Sequence, residues 1–262
     1  MTALGSGQAD YTLEIPAIIS NSVDGGAQLT ILANVITEFT PGSAVLVRAN
    51  STITSVQQLN GQKVAVSAFG AATDILAKML MKQYSLNFTE VQLGFTARVP
   101  ALLSGQVQAI ESYDPQVYQL VSSGQARILF NNENFNASWR PYAVAVARSS
   151  LVNSNPDLIR KLLLGTFEAI QYMKDNPQES YKILAAVSGP TTPLSIGENY
   201  YNDTINYFST NGVINTTEMI QNIQLQNKLV ASTHNIPPLS TMYTDKFVPI
   251  VIPAATSSST SG

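Results

Sequence analysis

The residues best equipped for chemistry in this 262-residue sequence lie in the stretch SAFGAATD, residues 67–74. A helix opening near Ala71 would present unpaired backbone N–H groups, and Gly70, Ala71 and Ala72 have little side chain to hold an anion away from them. Ser67 and Thr73 add hydroxyl donors, and the helix dipole adds ~0.3–1 kcal/mol. The plainer reading is that Ser67 and Thr73 cap the helix while Asp74 offsets its dipole. A second group is formed by the strand-end loops Glu14-Ile15-Pro16 and Ser112-Tyr113-Asp114, because ligands of parallel sheets sit beyond the carboxyl ends of the strands. There Tyr113 is placed to stack on or hydrogen-bond a small organic ligand, against the alternative of core packing for Tyr113 and a helix cap for Asp114. Arg98 offers a fork of donors to an anion, or else a structural ion pair on a short helix. Trp139 and Tyr142 sit at the start of the extended run WRPYAVAVARSS, where hinge packing competes with a binding role.

Enzymatic readings find little material. The sequence has one histidine, His234 in the loop ASTHNIPP, and no cysteine. A Ser-His-Asp triad would have to use that one residue, and thiolate nucleophiles, disulfides and cysteine-ligated metals are excluded. Glu111 and Asp114 stand three apart across a strand end, a spacing more usual for a cap or surface charge than for a general acid. No metal site or cofactor is expected.

Composition sets the remaining bounds. A 45% hydrophobic content suits a chain with a real core, and a net charge of −3 with 12% charged residues leaves no basic stripe for nucleic acid. No stretch approaches the ~20 apolar residues of a membrane-spanning helix. Sequons at Asn50, Asn87, Asn136, Asn202 and Asn215 match what abundant Asn, Ser and Thr would give by chance. The terminal PAATSSSTSG is low-complexity, and residues 256–262 are expected to be a disordered tail.

The elements that must position these residues come in two copies. ALGSGQADYTLEIP, from Ala3, returns as ALLSGQVQAIESYDP 98 residues later, from Ala101. That offset is too long for a solenoid repeat and suits one copy per compact lobe. The second copy reads as strand GQKVAVS, turn, helix AATDILAKMLMKQYSL, short strand, a short helix from an N-cap at Thr96 to Gly105, strand VQAIES, helix and strand ARILF. Such alternation predicts an α/β fold with mostly parallel sheets. Extended runs at residues 41–48 and in WRPYAVAVARSS border this unit and read as two crossings between lobes. From Asn155 the pattern is helical: Asn155 as N-cap, Pro156 at the first position and an apolar stripe through Leu158, Ile159, Leu162, Leu163, Phe167 and Ile170, then helices near 177–186, 193–208 and 217–230.

LNGQKVAVSAFGAATDILAKMLM, GFTARVPALLSGQV, RPYAVAVARSSLVNSNPDLIRKLL and AIQYMKDNPQESYKIL together resemble the substrate-binding proteins of ABC importers for nitrate, sulfonates, taurine and thiamine precursors. The match is ordered along nearly the whole chain. The resemblance implies a two-lobed periplasmic-binding-protein-like (type II) fold, with hinge closure over a solute in the cleft. Where the family reads Gly-x-x-Asp in the second copy, Gln108 stands, while Asp10 keeps the pattern in the first. The usual Glu-Pro pair is Asp114-Pro115, and the family's opening strand and helix do not precede the first copy. The related pyrimidine-precursor synthase needs an iron site of histidines and cysteine, for which this chain has no ligand set.

The expectation is therefore a first lobe from residues 1–45 plus 142–255, N-terminally incomplete, and a second lobe from 46–141. The chain would capture a small anionic or sulfonate-, nitrate- or pyrimidine-like solute near residues 67–73, facing Glu14 to Pro16. It would be displayed outside the cell on a tether, with an ABC permease as partner and a second polypeptide completing the first lobe. The competing readings are a sensor or surface domain that keeps the fold without transport, and an enzyme on the same scaffold.

Overall fold

Two sheets, one of five strands and one of three, organise the chain. The computed structural model describes residues 1–38, 42–135, 142–189 and 191–252; the tail at 256–262, Trp139 and the start of the first crossing lie outside them. The five-stranded sheet has the order β5-β4-β6-β3-β7, built from β3 (Ser43–Arg48), β4 (Lys63–Val66), β5 (Thr89–Gln92), β6 (Ala109–Tyr113) and β7 (Ala126–Asn131). The three-stranded sheet is β1-β8-β2, from β1 (Tyr11–Glu14), β2 (Leu29–Ile36) and β8 (Ala143–Arg148).

The parallel expectation holds where helices intervene: β4 runs parallel to β5 and to β6. It needs correcting at the two crossings. β3 enters antiparallel between β6 and β7, and β8 enters antiparallel between β1 and β2. In each sheet every strand but the crossing strand runs the same way, because a chain arriving from the other lobe enters from the opposite end.

The repeat is carried into the backbone. Helix α1 (Thr2–Gly5) occupies the place of the last turn of α4 (Phe95–Ser104), and α2 (Pro16–Asp24) that of α5 (Gln116–Ser122). Ala9 N–H donates to Ala3 O at 2.9 Å, and Val107 N–H to Ala101 O at 3.2 Å; Gly26 donates to Val23 O at 2.9 Å, and Gly124 to Val121 O at 3.0 Å. Gly7 and Gly105 both take a left-handed φ, +77° and +81°, and each lies against the guanidinium that ends its crossing strand, Arg148 and Arg48. β6-β3-β7 therefore matches β1-β8-β2, and among the described residues β4 and β5 have no counterpart beyond β1. The departure at Gln108 is explained by β4: its side chain accepts from Lys63 N–H at 3.1 Å and donates to Gly105 O at 3.1 Å. Asp10 pairs instead with Arg148 at the end of β8.

Helices cover both sheets. α3 (Ala72–Tyr84) puts Ile75, Leu76, Met79 and Leu80 into the core on the four-residue and three-residue spacing read from the sequence. α4 begins at Phe95 with Gly94 before it, so Thr96 is inside the helix and not its cap. After β8 come α6 (Ser149–Ser154), α7 (Pro156–Asp175), α8 (Pro177–Ser188), α9 (Leu194–Thr204), α10 (Thr216–Leu229) and α11 (Leu239–Met242). Asn155 caps α7 by accepting from Leu158 N–H at 3.1 Å, and Ile159, Leu163, Phe167 and Ile170 are buried against β2 and β8, whereas Leu158 is exposed. One apolar cluster joins the two units, running from Leu4, Ile19 and Val146 through Met219 and Ile223 of α10 to Met79 and Val64. Among the described residues no helix is long and apolar enough to cross a membrane.

Candidate functional site

Helix α3 follows β4 after a turn whose polar groups are largely occupied. Thr73 Oγ1 accepts from Ser67 N–H at 2.8 Å and lies 2.8 Å from Ser67 Oγ, and Asp74 Oδ2 accepts from Gly70 N–H at 2.8 Å. Asp74 also pairs with Lys78. These bonds close the turn on itself and do not cap α3, which has no side-chain capping bond, so the capping weighed from the sequence for Ser67 and Thr73 is corrected. Gly70, at φ +80° with open space around it, does not line the cleft.

The cleft itself is a cavity of about 370 Å³ where the carboxyl ends of β2, β4 and β6 meet. The five-stranded lobe contributes Ser67, Ala71, Ala72 and Thr73 from the turn into α3, and Tyr113 and Asp114 from the end of β6. The opposite wall is Ile36 at the end of β2 and Glu38 just beyond it, then Tyr200 and Thr204 of α9 and Tyr207 and Phe208 in the turn that follows. Of the residues expected to bind, Ser67, Ala71, Thr73, Tyr113 and Asp114 come together here.

The others lie elsewhere. Glu14 and Pro16 are absent from the lining, since Glu14 turns back to accept from Ile15 N–H at 2.9 Å and Pro16 is buried at the start of α2. Ser112 is fully buried, donating to Gln116 Oε1 at 2.7 Å. Arg98 is fully buried as well: it donates to the Glu111 carbonyl and its guanidinium stands 5.6 Å from the Phe95 ring and 5.9 Å from the Tyr113 ring. It backs the cleft wall and does not enter the cavity. Tyr142 is half-buried against the shared core, and burial raises its hydroxyl pKa, with Glu218 adding to the effect.

Two acids in this region are held protonated at neutral pH. Burial pushes Glu111 up to about 8, against the pull of the Asn132 amide on its carboxylate and of Arg98. Asp114 is 4% exposed, and neither carboxylate oxygen has a hydrogen bond of good geometry, the Tyr118 backbone amide approaching only loosely. Burial, reinforced by Asp203, raises it to about 8, with the Tyr118 backbone amide acting the other way. On the far side of Asp114 a smaller cavity of about 100 Å³ is lined by Tyr118 and Asp203, and the Tyr118 hydroxyl donates to Asp203 Oδ2 at 2.6 Å. With Gln119 Nε2 donating to Ser188 O at 2.8 Å, that bond ties α5 to the helical segment opposite.

Sequence reasoning missed the whole α9 wall. Tyr200, Thr204, Tyr207 and Phe208 sit some ninety residues beyond Tyr113 on elements with no strand-end signature; the aromatic density of ENYYNDTINYF was the one available signal. His234 is not near the cleft: its Nδ1 lies 3.0 Å from Asp24 Oδ2 at the end of α2.

Two α/β lobes, two crossing strands and a cleft at the strand ends define a periplasmic-binding-protein architecture. The chain belongs to the NMT1/THI5-like family, whose model matches residues 1–180. It is 26% identical over 199 residues to an aliphatic sulfonates-binding protein of Escherichia coli, an alignment covering 74% of this chain and 60% of that one. Among solved structures it is similar to the alkanesulfonate-binding protein of Xanthomonas axonopodis pv. citri bound to MOPS, with a TM-score of 0.74, 22% identity and 95% of this chain and 81% of that chain covered. A Candida albicans gene product with the generic periplasmic binding protein fold superposes with a TM-score of 0.76 at 13% identity, covering 97% of this chain and 84% of the other. The chain spans between 56% and 60% of the length of the curated relatives it matches. The curated relatives carry the names of binding proteins.

Proposed function

We propose that the chain is the solute receptor of an ABC importer, capturing a small organic solute in the cleft and releasing it by hinge opening. The observation that carries this is the cavity of about 370 Å³ walled by both lobes, a size at the lower end of small-molecule sites. In this reading the lobes are residues 46–141 and residues 1–45 plus 142–255, and binding replaces catalysis as the chain's work. The protein acts outside the cytoplasm, tethered near its membrane. Its partners are a permease and a polypeptide segment that pairs with β1 in the position β4 holds against β6.

Melting the chain against nitrate, bicarbonate, alkanesulfonates, pyrimidines and small amines tests the reading. A true solute at one hundred times its Kd raises stability by about 2.7 kcal/mol. A melting temperature unmoved by every class contradicts it.

A further inference from the structure

We propose that the cleft continues past its cavity onto an aromatic platform made by the rings of Tyr113 and Phe95, and that the solute carries a flat conjugated group, such as an aromatic ring, which stacks there. This rests on the solute-receptor reading and adds the shape of the solute. Tyr113 is the shared element: it lines the cavity, and its ring meets that of Phe95 at 6.3 Å between centroids with 39° between their planes. Phe95 is not part of the cavity wall. It opens α4 just beyond the carboxyl end of β5, on the sheet edge to which β4 and β6 also bring their cleft residues. A solute using both surfaces has a head enclosed in the cavity and a flat part outside it.

Both rings are open to solvent, yet both are fixed from within. Phe95 is 47% exposed and Tyr113 44%. The fully buried Arg98 guanidinium lies 5.6 Å from the first ring and 5.9 Å from the second, and its Nη1 donates to the Glu111 carbonyl in β6. A cation held against two rings draws their electron density toward itself. Their open faces therefore favour an electron-rich flat group over a second cation, in the offset or edge-on geometry that ring pairs adopt.

The size of the platform separates a solute from a protein partner. Two half-exposed rings offer about 200 Å², against the roughly 800 Å² that each partner gives to a stable protein interface. Among the described residues Phe69, also exposed on this edge, makes no ring contact with the pair; its ring has Lys78 Nζ at 5.9 Å. Continuity with the cleft through Tyr113 assigns the platform to the same small molecule that fills the cavity.

Three pairs of probes that differ only in an aromatic against a saturated ring test this: 2-phenylethanesulfonate and 2-cyclohexylethanesulfonate, 3-phenylpropionate and 3-cyclohexylpropionate, and the two matching propanamides. In calorimetric titration at least one pair is expected to bind, its aromatic member about threefold to tenfold more tightly than the saturated one. Phe95→Leu keeps an apolar side chain and removes the flat face, so it should cut that ratio to below about twofold with the melting temperature retained. Phe95→Tyr keeps the ring and should keep the ratio. If Phe95→Leu does not fold, Phe95→Met takes its place. Equal binding of the two members, a ratio that survives loss of the ring, or no binding by any pair overturns the inference. The receptor reading survives each of these if a solute in the melting screen binds.

Discussion

Asp114 and Glu111 show how burial beside the cleft couples stability to pH. Both carboxyls are raised to about 8 by burial, so the folded chain keeps protons that the unfolded chain has released from about pH 4 upward. Stability is therefore greatest at low pH within this window and falls as pH rises from about 4 to 8. The melting temperature of the empty chain is expected to drop by roughly 5–10 °C between pH 5 and 8, and Asp114→Asn or Glu111→Gln should flatten that slope. A melting curve rising across the interval would contradict the assignment. Gly42 is the second informative residue. Its φ is +66°, and a Cβ there would overlap Asp114 Oδ2. Gly42→Ala is expected to cost about 1–3 kcal/mol in chemical denaturation and to weaken solute binding, since it displaces the carboxyl. Tyr113 and Asp114 were legible because a strand end is a local signal. The burial of Asp114 was not, because it depends on Gly42 and on residues of α9 far along the chain.

At the scale of elements, the repeated segment was legible down to its glycines, because left-handed turns after a helix require them in both copies. What the sequence did not reveal was that β3 and β8 would insert antiparallel beside their copies; extended runs carry no direction. Among the described residues β1 is an edge strand paired only with β8, whereas β6 is flanked by β3 and β4. Hydrogen exchange at residues 11–14 is expected to be faster than at 109–113 by a factor of about ten or more. Equal protection would mean that β1 has a second partner in solution, as proposed for the completing segment. Gly197 marks the tightest helix contact: a Cβ there would overlap the Tyr181 carbonyl and come within 2.9 Å of Ala185 N. Gly197→Ala is expected to push α9 off α8 and destabilise the chain by about 1–3 kcal/mol. It should also weaken binding, since α9 carries the wall of Tyr200 and Thr204. Asn155→Ala, by contrast, removes only the α7 cap and should cost about 1 kcal/mol with binding unchanged.

For the whole molecule, the two crossing strands connect the two sheets, and the cleft lies where the elements around them meet. The α5 contacts to Asp203 and Ser188 hold them together beside the cleft, so Tyr118→Phe should favour an opened arrangement. The central claim is that this cleft is where solute binds. Ala71 sits in its wall at the start of α3 with no capping role for its side chain, so a large residue there fills the cavity and leaves the fold intact. The direct measurement is a calorimetric titration of the best solute from the melting screen into the chain and into its Ala71→Trp variant. The account predicts one site per chain and a loss of about one hundredfold or more in affinity for the variant, with its melting temperature retained. Equal affinity in the two proteins would place the solute outside the cleft and contradict the account.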